Sequence, residues 1–395
     1  MTNRQLFFQY LGLTSKEPLA LEIEYSKGIY LFDKNKKAYI DLLSGFSVNN
    51  IGHQNNEVIT AIKEQAQKYT HLTVYGEYIQ SPQVKYAEFL LSLLPNSLNS
   101  IYFVNSGSEA VEGAMKLAKR FTGRNEFIAF KNAYHGSTQG ALSLMNNESF
   151  TQAFRPLLPG IKFINFNDLS QIEDITHQTA AVIIEVIQAE GGIISAEKEY
   201  LKILRNKCNE TGALLIVDEI QTGFARTGKL FAFQHYDIIP DIITIAKSMG
   251  AGMPIGALIA NKTMLNAFTN NPVLGHITTF GGHPVSAAAA LAGLKFIIKN
   301  NLVNESERKA EIFKEKLKLC DKIKSIRGKG LFLSCELNDN EQVNNFIKQG
   351  LLNGFITDNF LFDKKRFRIA PPLTITEEEI NLTTDLILKT LNEIE

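Results

Sequence analysis

The chain has 395 residues, 45 % of them hydrophobic and 21 % charged, with 41 basic residues balanced by 41 acidic ones. That is globular composition, long enough for one large domain and a smaller one. The zero net charge gives no reason to expect nucleic acid, an anionic membrane or a polyanionic substrate as a partner. Cys208, Cys320 and Cys335 lie far apart, with neither metal-ligand spacing nor a disulfide framework. The cytoplasm is the expected location. The N-terminal stretch MTNRQLFFQYLGLTSKEPLA lacks the continuous apolar core of a secretory leader. No apolar run is long enough to span a bilayer.

In chain order, the first candidate strand is IYFV (101–104), followed by the amphipathic helix SEAVEGAMKLAKRF (108–121). Then come FIAF (127–130), AAVIIEV (180–186) and the helix YLKILRNKCNETG (200–212), which ends on Gly212 as a C-cap. Three more apolar runs follow: ALLIVD (213–218), DIITIA (241–246) and IGALIA (255–260). Apolar runs alternating with helices predict an α/β fold with a largely parallel sheet covered on both faces. After about residue 290 the texture changes. SERKAEIFKEKLKLC (306–320) reads as a charged amphipathic helix, IRGKGLFLSCEL (326–337) and RFRIA (366–370) as one strand each, and TEEEINLTTDLILKTLNEI as a closing helix. The expected division is an N-terminal segment, 1–50, joining the smaller domain, a large domain, 51–290, and a smaller α+β domain, 291–395.

Ligands of open parallel sheets sit beyond the carboxyl ends of the strands. Asp218 ends one candidate strand and Lys247 directly follows another, so both side chains can reach one crevice. An acid and an amine together suit pyridoxal 5'-phosphate. Its aldehyde condenses with a lysine, and its ring nitrogen needs a carboxylate to stay protonated. Each residue also has a plainer reading: Asp218 caps a helix and Lys247 is a surface lysine. NSGSEA (105–110) opens a helix after a strand, as a phosphate cradle or an ordinary turn. In KNAYHGST (131–138), Tyr134 can stack on a flat ring, or Tyr134 and His135 are packed loop residues. EVIQAEGG (185–192) reads by default as a solvated loop, and HITTFGGHP (276–284) as a polar turn.

With these pieces in order, the chain resembles the class III, or ω-amino, family of pyridoxal-phosphate aminotransferases. The likeness runs from LLSGFSVNNIGH (42–53) to RFRIAPPLTIT (366–376) and is carried by VDEIQTGFARTGKLFA, DIITIAKSMGAGMPIGA and TTFGGHP. Within the family it looks most like acetylornithine and succinylornithine aminotransferases, with ornithine and 4-aminobutyrate aminotransferases as close relatives. The resemblance implies a fold-type I transferase with a mostly parallel seven-stranded sheet and a smaller C-terminal α+β domain. It implies that Lys247 is the Schiff-base lysine and acid–base group, that Asp218 pairs with the pyridine nitrogen, and that Ile220 and Tyr134 lie on the two ring faces. Gln221 would reach the ring hydroxyl, and Gly107 and Ser108 the phosphate. Thr279 would serve the neighbouring site of a homodimer. Arg368 matches the arginine that clamps an α-carboxylate, and Glu190 the acid that pairs with it when an ω-amine is bound.

The implied substrates are an ω-amino donor, N-acetyl- or N-succinyl-ornithine, and 2-oxoglutarate. Other amines (4-aminobutyrate, ornithine, lysine) and the related decarboxylases, aminomutases and racemases are the alternatives. One departure bears on the choice. Where the family usually reads HGRT, this chain has Ser137, which cannot supply the arginine's charge to a distal carboxylate. Arg155 and Lys131 are candidate replacements. Phe46 adds an aromatic wall.

Overall fold

The computed structural model describes residues 1–74 and 76–394. Its centre is a seven-stranded sheet. In chain order the strands are β1 (Ser100–Val104), β2 (Glu126–Phe130), β3 (Ile161–Ile164), β4 (Thr179–Ile184), β5 (Leu214–Asp218), β6 (Ile242–Ile245) and β7 (Gly256–Ala260). Their spatial order is β1-β7-β6-β5-β4-β2-β3. β7 is antiparallel to both neighbours, and the other pairs are parallel. β4, β5 and β6 are buried along their whole length. This is why they read as unbroken apolar runs rather than alternating ones. β3, the sequence IKFI, was not among the candidate strands. It is a short edge strand with an exposed Lys162, so it carries a weak apolar signal.

Helix α1 (Gly107–Thr122) follows β1. The Ser106 side chain accepts from Glu109 N–H at its start, and Gly123 ends it in the left-handed region. Its small residues Ala110, Gly113, Ala114 and Ala118 are on the buried face against the sheet. Helix α2 (Lys198–Thr211) ends at Gly212, also left-handed, as expected from its sequence.

The segment 326–337 is a hairpin rather than one strand: β8 (Ser325–Lys329) turns at Gly330 into β9 (Phe332–Glu336). Gly330 has φ 52° and backs onto the Thr227–Gly228 backbone, where only glycine fits. β10 (Arg366–Ile369) pairs with β9. A separate four-stranded sheet joins three N-terminal strands (Ile23–Lys27, Tyr30–Asp33, Ala38–Asp41) to Phe355–Ile356. The two ends of the chain are thus woven together. Among the described residues, no helix is long and apolar enough to cross a bilayer.

Arg226, in the loop after β5, fastens these parts. It is fully buried and donates to the Asn50 and Ser44 side chains and to the Leu331 and Pro371 carbonyls. Burial pulls its pKa down to about 9, and the Asp41 charge offsets that only in part. Arg226→Ala leaves several buried acceptors without donors, each costing about 1–3 kcal/mol. The expected loss is at least about 3 kcal/mol, read as a lower urea midpoint. A change below about 1 kcal/mol would contradict this role.

Candidate active site

β1, β2, β4, β5 and β6 end on one rim of the sheet, and β7 starts there. A cavity of about 440 Å³ opens at that rim. Among its lining residues are Gly107, Ser108, Tyr134, His135, Glu185, Asp218, Ile220, Gln221 and Lys247. Seven of the site residues expected from the sequence, Gly107, Ser108, Tyr134, Asp218, Ile220, Gln221 and Lys247, are therefore brought together from four separate segments.

The Asp218 carboxylate ends β5 and is 4 % exposed. Oδ1 accepts from Ile220 N–H at 3.0 Å, and Oδ2 lies 2.7 Å from His135 Nδ1. Burial works against a charged His135. The hydrogen bond to Asp218 and the charges of Asp218 and Glu185 outweigh it and raise the pKa. His135 thus props Asp218 from behind, a partnership that residues 83 positions apart do not advertise. Glu185 was also hidden. The stretch 185–192 is not a solvated loop: β4 stops at Ile184, and Glu185 and Glu190 are 5 % and 7 % exposed. Glu185 accepts from the N–H groups of Tyr134 and Ala189, and burial first, then the Asp218 charge, pushes it up to about 7. Glu219 is likewise pushed up to about 7 by burial. Its oxygens take the Thr222 hydroxyl and the N–H groups of Ala232 and Phe233, which folds the loop carrying Gln221.

Lys247 sits two residues past the end of β6 with φ 51°, a left-handed conformation that costs a non-glycine residue about 1 kcal/mol or more. Its Nζ donates to Gln221 Oε1 at 2.9 Å. Gln221 Nε2 is buried with no partner among the described residues, so it faces the cavity with a donor to spend. Burial lowers the Lys247 ammonium to about 8; the Glu190 charge resists this and Arg368 adds to it.

Across the cavity, α1 presents its first turn, whose N–H groups have no partner inside the helix. A Cβ on Gly107 would come within 2.9 Å of the Ile220 side chain, so its absence lets Ile220 lie flat against the helix start. Tyr134 is half-buried, and its hydroxyl meets Ser137 Oγ at 3.0 Å.

Arg368 on β10 lies beyond the cavity lining and is 0 % exposed. Nη2 pairs with Glu190 Oε1 at 2.8 Å, while Nε and Nη1 have no partner among the described residues. Burial alone would raise Glu190, but the Arg368 charge and hydrogen bond hold its carboxyl low. Phe46 and Phe360 stand 5.2 and 4.4 Å from the guanidinium carbon, measured to their ring centroids. Phe46 reaches this place through four consecutive left-handed residues, Ser44 to Ser47, with φ between 50° and 65°. Asp41 Oδ1 holds the start of that turn through the N–H groups of Leu43 and Ser44, and Ser44 Oγ donates to the Ala370 carbonyl at 2.6 Å.

Thr279 is not brought to this cavity. It is exposed, next to Thr278, whose hydroxyl accepts from Asn105. Ser137, Lys131 and Arg155 are exposed. Arg155 pairs with Glu148.

The family model described as aminotransferase class-III matches residues 13–391. The chain belongs to the class III aminotransferases. It is a pyridoxal-phosphate-dependent transaminase, acting on an amino donor and a 2-oxo acid. It is 39 % identical to the acetylornithine aminotransferase of Archaeoglobus fulgidus, over 93 % of this chain and 94 % of that one. It is also 39 % identical to the [LysW]-aminoadipate semialdehyde/glutamate semialdehyde transaminase of Sulfurisphaera tokodaii, over 80 % and 82 %. The ornithine aminotransferase of Toxoplasma gondii, solved with partial occupancy of PLP at its active site, superposes with a TM-score of 0.92 at 29 % identity, covering 99 % and 93 % of the two chains.

The low Lys247 pKa is directly measurable in this transaminase. A neutral amine is the reactive form, and its population grows as pH rises through the folded pKa. Acylation of Lys247 in the cofactor-free protein by an amine-reactive ester, followed by peptide mass spectrometry, should reach half its limiting rate near pH 8. A midpoint near the ordinary lysine value of about 10.4 would contradict the burial account.

Proposed function

We propose that this aminotransferase takes the terminal amine of an acylated ornithine, N-acetyl- or N-succinyl-ornithine, and delivers it to 2-oxoglutarate, giving a semialdehyde and glutamate. The observation that carries the reading is the buried Arg368–Glu190 pair near the lysine. An arginine whose carboxylate partner can be exchanged for a substrate carboxylate serves an enzyme that alternates between an ω-amine and an α-amino acid. The names of the relatives from Archaeoglobus fulgidus and Methanopyrus kandleri, both acetylornithine aminotransferases, point to the same donor class.

The residues present fit pyridoxal phosphate: a cavity of suitable size, an unpartnered buried amide at Gln221, and a glycine-opened helix start. When bound, the cofactor supplies an electron sink for the carbon that carries the amine. In this reading Lys247 would hold the cofactor through its aldehyde and would carry the proton to and from the substrate carbon. Its lowered pKa leaves part of the population neutral at pH 7. Asp218 would keep the proton on the ring nitrogen. Ile220 and Tyr134 would flank the ring, and Gln221 Nε2, which has no partner among the described residues, would be a donor for the ring hydroxyl. Gly107 and Ser108 bind the phosphate at the positive end of α1. Arg368 takes the α-carboxylate of glutamate or 2-oxoglutarate, with Glu190 moving aside. Phe46 and Ser137 shape the substrate space.

Thr279 would act in the site of a second copy, making a homodimer with shared sites. Exposed Leu72, Tyr78, Ile79, Ile277 and Phe280 near it support that arrangement, since apolar patches of this kind mark interfaces. A cytoplasmic location fits the same reading. A second reading has one observation behind it. Ser137 is uncharged, which suits a donor without a carboxylate at that position, such as a simple ω-amine.

The test is glutamate formation from 2-oxoglutarate with N-acetylornithine, N-succinylornithine, ornithine, 4-aminobutyrate and lysine as donors. An acylornithine should lead, and Lys247→Ala should lose at least about 10³-fold in turnover. Turnover only with donors lacking an α-carboxylate would move the assignment to the second reading. Many turnovers by Lys247→Ala would remove the lysine from its role.

A further inference from the structure

The proposed acceptor has two carboxylates, and the interior of the site offers one exchangeable arginine, Arg368. The second carboxylate needs a cation at the rim, on the side of Ser137. The segment 148–156 lies between those two places. On one side, Gln139, two residues past Ser137, donates its amide to the carbonyls of both Phe154 and Pro156 at 2.9 Å. A single side chain thereby fixes the backbone on either side of Arg155. Leu158 N–H, held by Ser143 Oγ at 2.9 Å, continues the attachment. On the other side, the Phe150 ring packs edge-on against Phe362 with centroids 5.7 Å apart. Phe362 N–H donates to the Glu190 carbonyl, and Leu361 N–H to its carboxylate. Phe360 of the same loop covers Arg368. The segment carrying Arg155 therefore bridges the Ser137 loop and the roof over Arg368 and Glu190.

Arg155 is held there by a replaceable partner. Its ion pair with Glu148 is exposed at both ends, 55 % and 64 %. Such a pair is worth little in water, whereas a guanidinium fork binds a planar carboxylate well. Lys131, the other candidate cation, is exposed and has no carboxylate ion partner among the described residues.

We propose that Arg155 is the residue that selects a dicarboxylic 2-oxo acid, exchanging Glu148 for the acceptor's distal carboxylate in place of a cation at position 137. The proposal rests on the transaminase reading above and adds to it the residue that sets acceptor preference.

The experiment compares the holoenzyme with Arg155→Ala and Arg155→Lys, using 2-oxoglutarate and pyruvate as acceptors. The readout is the ratio of kcat/KM for 2-oxoglutarate over pyruvate. A lost charge-assisted hydrogen bond predicts that Arg155→Ala lowers this ratio on the order of 10- to 100-fold, through KM for 2-oxoglutarate rather than kcat. Arg155→Lys should fall between. An unchanged ratio, or equal losses with both acceptors, would overturn the proposal, because a merely structural role moves both alike. A wild-type enzyme that turns over amines but shows no preference for 2-oxoglutarate would also overturn it while leaving the transaminase reading intact. No turnover with any acceptor would bring down both.

Discussion

The structure depends on a carboxylate held where carboxylates are expensive. Asp218 ends a strand in the middle of the sheet and is almost wholly removed from water. A buried charge survives only when hydrogen-bonded and electrostatically matched. The Ile220 N–H and the His135 ring supply the first requirement. The cavity in front supplies room for a cationic ring to meet the second. The neighbouring acids share the cost differently. Glu185 and Glu219 are pushed up to about 7 by burial and spend their oxygens on backbone N–H groups. They shape the loops around Asp218 while it faces the cavity.

The surroundings of Arg368 follow the same logic with opposite sign. Arg368 is a cation with its faces towards aromatic rings, one carboxylate partner and two unpartnered nitrogens. One of those rings, Phe46, is there because a left-handed turn is tied down by Asp41, Ala370 and Arg226. The strain in that turn and at Lys247 is repaid by contacts from distant parts of the chain. Weaving the N-terminal segment into the C-terminal strands is therefore part of how the pocket is built.

Much of this was legible in the sequence, for physical reasons. β4, β5 and β6 are buried on both faces, so their apolar runs stood out, and the acid and the lysine at their ends marked the crevice. What escaped was either local and weak or distant in the chain. β3 is a short edge strand broken by a lysine. The hairpin β8–β9 looked like one strand because only Gly330 and Leu331 separate its two arms, which leaves almost no break between the runs. The pairing of His135 with Asp218, and the hub at Arg226, join residues that no spacing rule connects. Glu185 looked like loop polarity because burial of an acid leaves no pattern in composition.

The most direct test of the central claim is the single-turnover rate of Asp218→Ala, loaded with cofactor and mixed with a donor amine, alongside its far-UV spectrum. The account predicts a native spectrum with a rate reduced on the order of 10²- to 10³-fold, the scale of losing one preorganised electrostatic partner. A native fold with a near wild-type rate would contradict it and would mean that Asp218 holds the loop rather than the ring.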